Sequence, residues 1–365
     1  MRINNFYGAS RPQQSPIQNK PSFKGYFACP IKELHIPAFD YGKCTDRSPI
    51  IKELAKRCGK YFRIVVQSVE GFTEASHFIR PKTPPAYRIN NYGQDTKLFL
   101  ADKMLLLKGC SLNGWEEAKL LAQHLNLPTQ SVDAFIEGGN CFLGRKPNGD
   151  TFALIGQDAL VKKRGGPYDV DTIDNIGKDK LAEALGLSPD NVHVVPQPDY
   201  HLDLAIRPLK YPDVLVDSRE LTCNLVRKPL TDLRGKFRER LLLRGYASPE
   251  EIARALEEQG FNPIFVPGSL GDDRKKVNYM NAIVHQRPDG KLVYITNHSN
   301  KGAKAVIGSN MEQVFTHHLK RQCPEIAEVI FIDGDGKMEE CLNHESAGVH
   351  CLTSERPDPK KWKTA

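Results

Sequence analysis

The sequence predicts a single α/β domain in which five similar units form a closed ring with pseudo-fivefold symmetry. Three observations predict this fold. A helix pattern runs directly into an apolar strand five times along the 365 residues. The helix starts recur at nearly even intervals, as they do in an internal repeat. Polar clusters follow these units where a buried strand should be apolar. The alternative is an ordinary mixed α/β domain, in which helices and strands also alternate.

The five helix–strand pairs follow from helix-start signals and from apolar runs. In chain order, the helices begin at Ser48-Pro49, near Asn113, at Asp179, at Ser248-Pro249 and at Ser309-Asn310, and the strands after them are residues 61–66, the stretch ending at Phe135-Ile136, and residues 192–195, 263–266 and 329–332. The third helix ends at Gly186, and the fourth carries a capping box between Ser248 and Glu251.

The predicted domain covers residues 27–357, between a polar basic tail at 1–26 and a basic C-terminal tail at 358–365. The net charge is +7. The N-terminal tail carries basic residues and no acidic one, and the basic residues near the C-terminus supply the remainder, so that the body is neutral. Richness in Asn, Gln, Pro and Ser indicates that the N-terminal tail is disordered, with a targeting or sorting tail as the alternative.

Composition excludes several classes of function. A neutral body argues against a nucleic-acid surface, which needs clustered basic charge. No apolar run approaches the roughly 18 residues of a membrane span, and the N-terminus lacks the apolar core of a secretory signal. The nine cysteines contain no C-x-x-C spacing and fit a reducing compartment. We therefore expect a cytoplasmic protein with no nucleic-acid or membrane partner.

Four polar clusters carry the chemistry. They are Gly93-Gln94-Asp95, Glu137-Gly138-Gly139-Asn140, His201-Leu202-Asp203 and Gly348-Val349-His350-Cys351-Leu352-Thr353. If residues 201–206 form a strand, His201 and Asp203 share its polar face, because alternate side chains point the same way. The alternative is a solvated surface histidine.

The other clusters also admit simpler interpretations. The paired glycines of the second cluster allow a sharp turn or a close approach to a ligand, and a hairpin turn with a solvated Glu137 is the alternative. Cys351 lies in a short strand-like stretch and, taken alone, is a core cysteine. A cysteine combined with a distant histidine and carboxylates is nevertheless the composition of a thiol-based site. Asn278 and Asn281 either line the pocket or form a turn.

Together, the four clusters resemble the motifs of the guanidine-modifying enzymes of the pentein superfamily. This superfamily includes agmatine deiminases, arginine deiminases, dimethylarginine hydrolases and peptidylarginine deiminases. The resemblance extends over roughly residues 60–357 and rests on several motifs in the family's order. It implies a five-bladed β/α propeller of ββαβ units, which matches the repeat read from the helices and strands.

The resemblance also implies roles for individual residues. Cys351, in a segment similar to the family's His-Cys-x-Thr, would be the nucleophile. His201, in the family's His-x-Asp, would be the general acid and base, and Glu137 would orient it. Asp203 and Asp95 would bind the guanidinium, with Asn140 also in the substrate-binding set. No metal or organic cofactor is expected.

The predicted activity is therefore hydrolysis of the guanidinium of agmatine or a related small guanidine, through a covalent cysteine intermediate. The alternatives are a peptidylarginine deiminase, an amidinotransferase and a non-catalytic pentein. The Glu137 motif looks closest to agmatine deiminases, whereas Gln94-Asp95 looks more like peptidylarginine deiminases. The expected partner is a small guanidine or an arginyl peptide, with a homo-oligomer as a candidate state that the sequence leaves open.

Overall fold

A computed structural model describes most of the chain. The described residues are 27–40, 45–68, 71–78, 97–99, 103–107, 112–132, 134, 136–163, 173–175, 177–226, 246–270, 277–299, 311–342 and 347–358. Asp95, Gln94 and both predicted tails up to residue 26 and from residue 359 lie outside them. Within this part of the chain, no helix is long and apolar enough to cross a membrane.

Five sheets with the same connectivity form the framework of the described residues. In each sheet an antiparallel strand pair is followed by a helix and then by a strand that runs parallel to the second strand of the pair. The strands are Ser354–Pro357, Ile31–Pro37, Arg63–Ser68 and Gly71–Glu74; Lys97–Phe99, Met104–Leu107 and Thr129–Val132; Cys141–Arg145, Thr151–Gly156 and Val192–Val195; Ile206–Pro208, Asp213–Asp217 and Asn262–Val266; Ile283–Gln286, Leu292–Asn297 and Ile326–Ile332.

The central strands are apolar because both of their faces are covered. Every residue of Thr151–Gly156 and of Leu292–Asn297 is buried. Near-continuous apolar strands are typical of sheets that helices or neighbouring sheets cover on both sides. The α/β class predicted from the sequence is confirmed. The closed ring with fivefold symmetry stays a prediction.

Amphipathic helices connect the second and third strands of each sheet. These crossover helices are Ser48–Cys58, Leu112–His124, Gly177–Leu185, Pro249–Glu258 and Met311–Gln322. In Pro249–Glu258 the buried residues are Ile252, Ala253 and Leu256, which lie on one face at helical spacing. The predicted capping box is present, because the Ser248 side chain accepts from the Glu251 N–H and the Glu251 carboxylate accepts from the Ser248 N–H.

Most of the predicted helix–strand pairs lie where the sequence placed them. One strand does not: the second pair ends in Thr129–Val132, and Ile136 lies beyond it. The fifth helix is described from Met311, so its predicted start at Ser309-Asn310 lies outside the described residues. Further short elements are helices Arg219–Val226 and Lys337–Glu340 and the paired strands Phe39–Asp40 with Thr45–Asp46, Val161–Lys163 with Ile173–Asn175, and Ser269–Leu270 with Val277–Asn278.

The two ends of the domain meet in one sheet. The last strand, Ser354–Pro357, pairs antiparallel with the first, Ile31–Pro37, which in turn pairs parallel with Arg63–Ser68. The C-terminal strand therefore supplies the first strand of the first unit. With this strand included, the first unit has the same order of strands and helix as the other four units.

Short turns precede the first strands of the units. Gly138–Asn140 is a 3₁₀ helix before Cys141–Arg145, and Leu202–Leu204 is a 3₁₀ helix before Ile206–Pro208. The prediction that residues 201–206 form a continuous strand is wrong, because the polar residues lie in this turn and only the last residue begins the strand. The strand-like stretch predicted around Cys351 is also a turn, and the strand starts at Ser354.

Candidate active site

Cys351 lies in a tight turn directly before the last strand. The Leu352 N–H donates to the Gly348 carbonyl at 3.1 Å, and the Thr353 hydroxyl donates to the Val349 carbonyl at 2.9 Å. Cys351 is 3% exposed. The turn therefore holds the thiol in a fixed, nearly dry position, in which its interactions with neighbouring charges are stronger than they would be in water.

One further turn, at residues 201–204, brings both a histidine and a carboxylate to this thiol. The ligand atoms of His201, Asp203 and Cys351 all lie within 4.8 Å of one another. The Asp203 Oδ2 atom is 3.5 Å from the Cys351 Sγ atom. Asp203 is fully buried and His201 is 5% exposed. Residues that are 148 positions apart in the sequence thus form one compact polar centre inside an apolar core.

Glu137 contacts the ring of His201. The Glu137 Oε2 atom hydrogen-bonds to the His201 Nε2 atom, and the two side chains are 25% and 7% exposed. A carboxylate at this position favours the protonated imidazole and fixes the orientation of the ring. On its other side, the His201 ring lies 4.7 Å from the ring of Tyr200, which is 38% exposed.

A second histidine fixes Asp203. The His350 Nδ1 atom lies 2.7 Å from Asp203 Oδ2, and both side chains are buried. Burial, followed by the positive charge of Arg207, lowers the pKa of His350 to about 4. His350 is therefore neutral near pH 7, and we assign its proton to Nδ1 because an ionised carboxylate only accepts hydrogen bonds.

Behind His350 lies a buried ion pair. Arg207 Nη2 is 3.1 Å from Glu355 Oε1, and Glu355 Oε1 is 3.8 Å from His350 Nε2. The Arg207 guanidinium also lies 5.4 Å from the ring centre of Phe142. Burial raises the pKa of Glu355 to about 7, although Arg207 opposes this rise. The pair therefore lies next to the Nε2 atom of His350, whose Nδ1 atom contacts Asp203.

Asn140 connects its own turn, Gly138–Asn140, to the turn Leu202–Leu204. Its Oδ1 atom accepts from the Leu202 N–H at 3.2 Å and from Gln197 Nε2 at 2.9 Å. Since Leu202 lies between the acid–base candidate and the carboxylate, this contact sets the position of both. The side-chain oxygen of Asn140 is thus used within the protein, and any direct contact with a substrate would come from its amide nitrogen.

Asn281 is the residue of the site that sequence reasoning did not assign. Its Nδ2 atom lies 2.8 Å from Asp203 Oδ2 and 2.9 Å from Cys351 Sγ. It is fully buried and lies two residues before Ile283–Gln286, the first strand of the fifth unit. The signal that could have found it is this position, because the other candidate turns also come just before the first strand of a unit.

Of the six residues predicted for the site, five are described and belong to one connected network. Cys351, His201 and Asp203 form its centre, Glu137 contacts His201, and Asn140 supports the turn between them. Asp95 lies outside the described residues, in sequence just before Lys97–Phe99, the first strand of the second unit. What each residue does in catalysis or binding stays a prediction.

The backbone around the thiol restricts the chemistry of the site. The N–H groups of His350 and Cys351 donate to Asn281 Oδ1 at 2.9 and 3.1 Å, and that of Val349 donates to Asn297 Oδ1 at 2.7 Å. The N–H groups of the next two residues donate to carbonyls of the same turn. The amides closest to the sulfur are therefore already used and cannot also stabilise an oxyanion.

The arrangement can perform nucleophilic catalysis, since it combines a buried thiol, a histidine paired with a carboxylate, and a further carboxylate beside the sulfur. The histidine, carboxylate and thiol are also side chains of the kind that bind Zn²⁺. The absence of a metal from the catalytic chemistry stays a prediction.

Solved structures share this fold. The chain is similar to C. jejuni agmatine deiminase at 13% identity and a TM-score of 0.58, over 92% of this chain and 96% of that one. It is similar to the agmatine deiminase of Enterococcus faecalis at 12% identity and a TM-score of 0.58, over 96% and 100%. A candidate peptidyl-arginine deiminase matches at 16% identity and a TM-score of 0.55, over 93% and 100%.

At these identities the similarity shows the fold alone. The fold shared with these structures agrees with the fold that the resemblance implied, and the activity that the resemblance implied stays a prediction. No protein-family model and no curated protein sequence matches the chain. The activity must therefore be argued from the site.

Proposed function

We propose that this protein is a cysteine-dependent hydrolase that acts on a guanidinium group. The observation that carries the proposal is the meeting of His201, Asp203 and Cys351 within 4.8 Å, with Glu137 on the histidine. In the proposed fold, five ββαβ units surround the site as a closed five-bladed ring. The turn before the first strand of each unit would then face the same central pocket.

The substrate that fits this site is a cation. Asp203 and Glu137 place negative charge around a buried thiol, and we propose that Asp95 adds a further carboxylate. A guanidinium is planar, and carboxylates bind it through paired, charge-assisted hydrogen bonds. A bound cation also lowers the pKa of a nearby thiol, so that substrate binding itself favours the thiolate.

The reaction then proceeds in two stages. The Cys351 thiolate attacks the guanidinium carbon and forms a C–S bond, which gives a tetrahedral adduct. The protonated His201 gives its proton to an amino group, the C–N bond breaks, and ammonia leaves an amidino-thioether. Neutral His201 next takes a proton from water as the resulting hydroxide adds to the same carbon. The C–S bond then breaks to restore the thiolate, the added hydroxyl loses its proton to the solvent or to the ammonia already released, and a ureido product forms.

The backbone N–H groups of the nucleophile turn already donate hydrogen bonds within the protein, and this favours the proposed reaction over acyl transfer. A thiol protease must stabilise a negatively charged oxygen with preorganised N–H groups near its nucleophile. In this turn the Cys351 N–H donates to Asn281 instead. An adduct formed on a guanidinium carries no oxyanion in the first stage and needs no such donors.

We propose agmatine or a similar small guanidine as the substrate. Two structures of similar fold are of agmatine deiminases, and the Glu137 motif looks closest to that class. The peptidylarginine alternative rests on Gln94-Asp95 and on the similar fold of a candidate peptidyl-arginine deiminase. An amidinotransferase would form the same intermediate but transfer the amidino group to an amine.

Labelling with a haloacetamidine tests the nucleophile. The cationic probe should modify Cys351, and Cys351→Ser should abolish both labelling and turnover, by about 10⁴-fold or more in kcat. Cys141→Ser is the matched control, because Cys141 is also buried and burial raises the pKa of its thiol to about 12. Labelling that persists in Cys351→Ser would contradict the proposed function.

The substrate class can be tested separately. Ammonia release should be faster from agmatine than from a blocked arginyl peptide, with arginine and methylated arginines as further candidates. Faster release from the peptide would transfer the assignment to the peptidylarginine alternative. Formation of a new guanidine from an added amine would show amidino transfer instead of hydrolysis.

A further inference from the structure

Asn281 has two different functions at the nucleophile, one for each end of its amide. The Oδ1 atom accepts from the backbone N–H groups of His350 and Cys351. The Nδ2 atom faces Asp203 Oδ2 at 2.8 Å and Cys351 Sγ at 2.9 Å. The oxygen thus holds the turn, whereas the nitrogen faces the reacting atom.

The Asn281 Nδ2 atom lies between two groups that would both be negatively charged during the proposed reaction. The proposed reaction needs a thiolate, and the carboxylate that would bind the guanidinium lies 3.5 Å from that sulfur. Two like charges so close in a buried site strongly disfavour each other's ionised form. A carboxylate and a thiolate both accept hydrogen bonds, and an amide nitrogen has two hydrogens to donate.

We propose that Asn281 is a further catalytic residue, whose side-chain N–H groups stabilise the Cys351 thiolate beside the ionised Asp203. The inference rests on the proposed function only in taking Cys351 as the nucleophile. It assigns to Asn281 the donor contact with sulfur that the backbone amides of the turn do not make. Asn297 also accepts a backbone N–H of this turn, but its amide nitrogen donates to backbone carbonyls.

Asn297 provides the matched control. Its Oδ1 atom accepts from the Val349 N–H at 2.7 Å, so it also holds the nucleophile turn. Its Nδ2 atom donates to the backbone carbonyls of Asn278 and Asn281 and not to the sulfur. Asn281→Asp and Asn297→Asp therefore make the same isosteric change at two residues that accept hydrogen bonds from the nucleophile turn, but only the first places a carboxylate against Cys351.

The experiment measures the rate of Cys351 alkylation by iodoacetamide as a function of pH, with the modified peptide quantified by mass spectrometry. Because the thiolate is the reactive form, Asn281→Asp should shift the rate profile about one pH unit higher and slow alkylation about tenfold at pH 7.5. Asn297→Asp should stay within about threefold of the unchanged protein. Equal effects of the two variants would show a purely structural role and overturn the proposal.

A double variant covers the case in which Asn281→Asp fails to fold. In Asp203→Asn/Asn281→Asp the site keeps one amide and one carboxylate, with their places exchanged. We expect alkylation of this protein to lie within about threefold of the unchanged protein if charge balance at the sulfur is what matters. A double variant that folds and stays about tenfold slower would overturn the proposal. Alkylation requires no guanidine, so a failed deiminase assay would not affect this test.

Discussion

His201 is held between a carboxylate and an aromatic ring, and this surrounding determines how it can act. Glu137 hydrogen-bonds to its Nε2 atom, and Tyr200 packs 4.7 Å away. The contact with Glu137 favours the charged imidazole, which in the proposed mechanism would give a proton to the leaving amine. In the proposed mechanism, by contrast, the substrate is bound by the carboxylates of Asp203 and Asp95.

Replacing His201 should therefore separate binding from turnover. We expect His201→Ala to lower kcat by about 10²–10⁴-fold, the usual contribution of a general acid and base, with little change in KM. His317→Ala, on the exposed side of helix Met311–Gln322, is the control and should leave both constants unchanged. A His201→Ala protein with near-normal kcat would contradict the mechanism.

Single residues were the most predictable level of the site. Each motif taken alone also fits an ordinary surface, turn or core residue, but the four motifs together resemble those of one superfamily, so their grouping could be expected before their geometry was known. Asn281 could not be assigned in this way, because an asparagine beside a strand is also an ordinary turn residue. Only its contacts with Asp203 and Cys351 distinguish it.

Short turns, rather than strands, carry the catalytic candidates. Helix boundaries could be predicted closely, since capping signals and amphipathic spacing are properties of the local sequence. The 3₁₀ turns at Gly138–Asn140 and Leu202–Leu204 could not, because three residues are too few to show a period. Alternation of polar and apolar residues around Asp203 therefore suggested a strand where the chain turns.

Gly348 makes the turn at the nucleophile possible. A Cβ atom at this position would lie 2.5 Å from Asn297 Nδ2 and 2.6 Å from Asn281 Oδ1, well inside van der Waals contact. Gly348→Ala must therefore displace the two asparagines that hold the turn.

We expect Gly348→Ala to destabilise the protein by about 1–3 kcal/mol, as other overpacked sites do, and to reduce Cys351 alkylation and turnover together. Thermal unfolding and iodoacetamide kinetics measure the two effects. Ser248→Ala is the control, since loss of that helix cap costs about 1 kcal/mol far from the turn and should leave thiol reactivity intact. Unchanged alkylation in Gly348→Ala would mean that the turn tolerates a side chain.

At the scale of the whole molecule, the first and last strands of the described residues pair with each other. Ser354–Pro357 completes the sheet of Ile31–Pro37, and the same strand follows directly on the nucleophile turn. Folding of the site therefore requires both ends of the domain to meet. The sequence repeat predicted five units, but the pairing of chain ends has no local signal, because it joins residues more than 300 positions apart.

Glu33 links three strands of this sheet. Its carboxylate contacts Arg356 at 2.7 Å on the last strand and Arg63 at 2.8 Å on the neighbouring parallel strand. Burial alone would raise the pKa of Glu33, but contacts with His35 and Arg356 outweigh it and lower the pKa to about 2. A carboxyl group with a lowered pKa stabilises the folded state above its unfolded value of about 4.5 and loses that contribution as the pH falls towards 2.

Glu33→Gln should therefore weaken the junction of the chain ends in a pH-dependent way. We expect a loss of about 1–3 kcal/mol in the free energy of unfolding at pH 7, because one buried partner of the arginines loses its charge. The difference from the unchanged protein should shrink as the pH falls below about 4.5, where the native carboxyl group loses its advantage. Urea unfolding between pH 7 and pH 3 measures both quantities.

Glu340→Gln is the control for this test. It removes an exposed contact with Lys337 at 2.8 Å, should cost less than about 0.5 kcal/mol in the free energy of unfolding, and should show no such pH trend. A Glu33→Gln protein whose deficit stays constant across this range would mean that the carboxylate charge does not hold the two ends together.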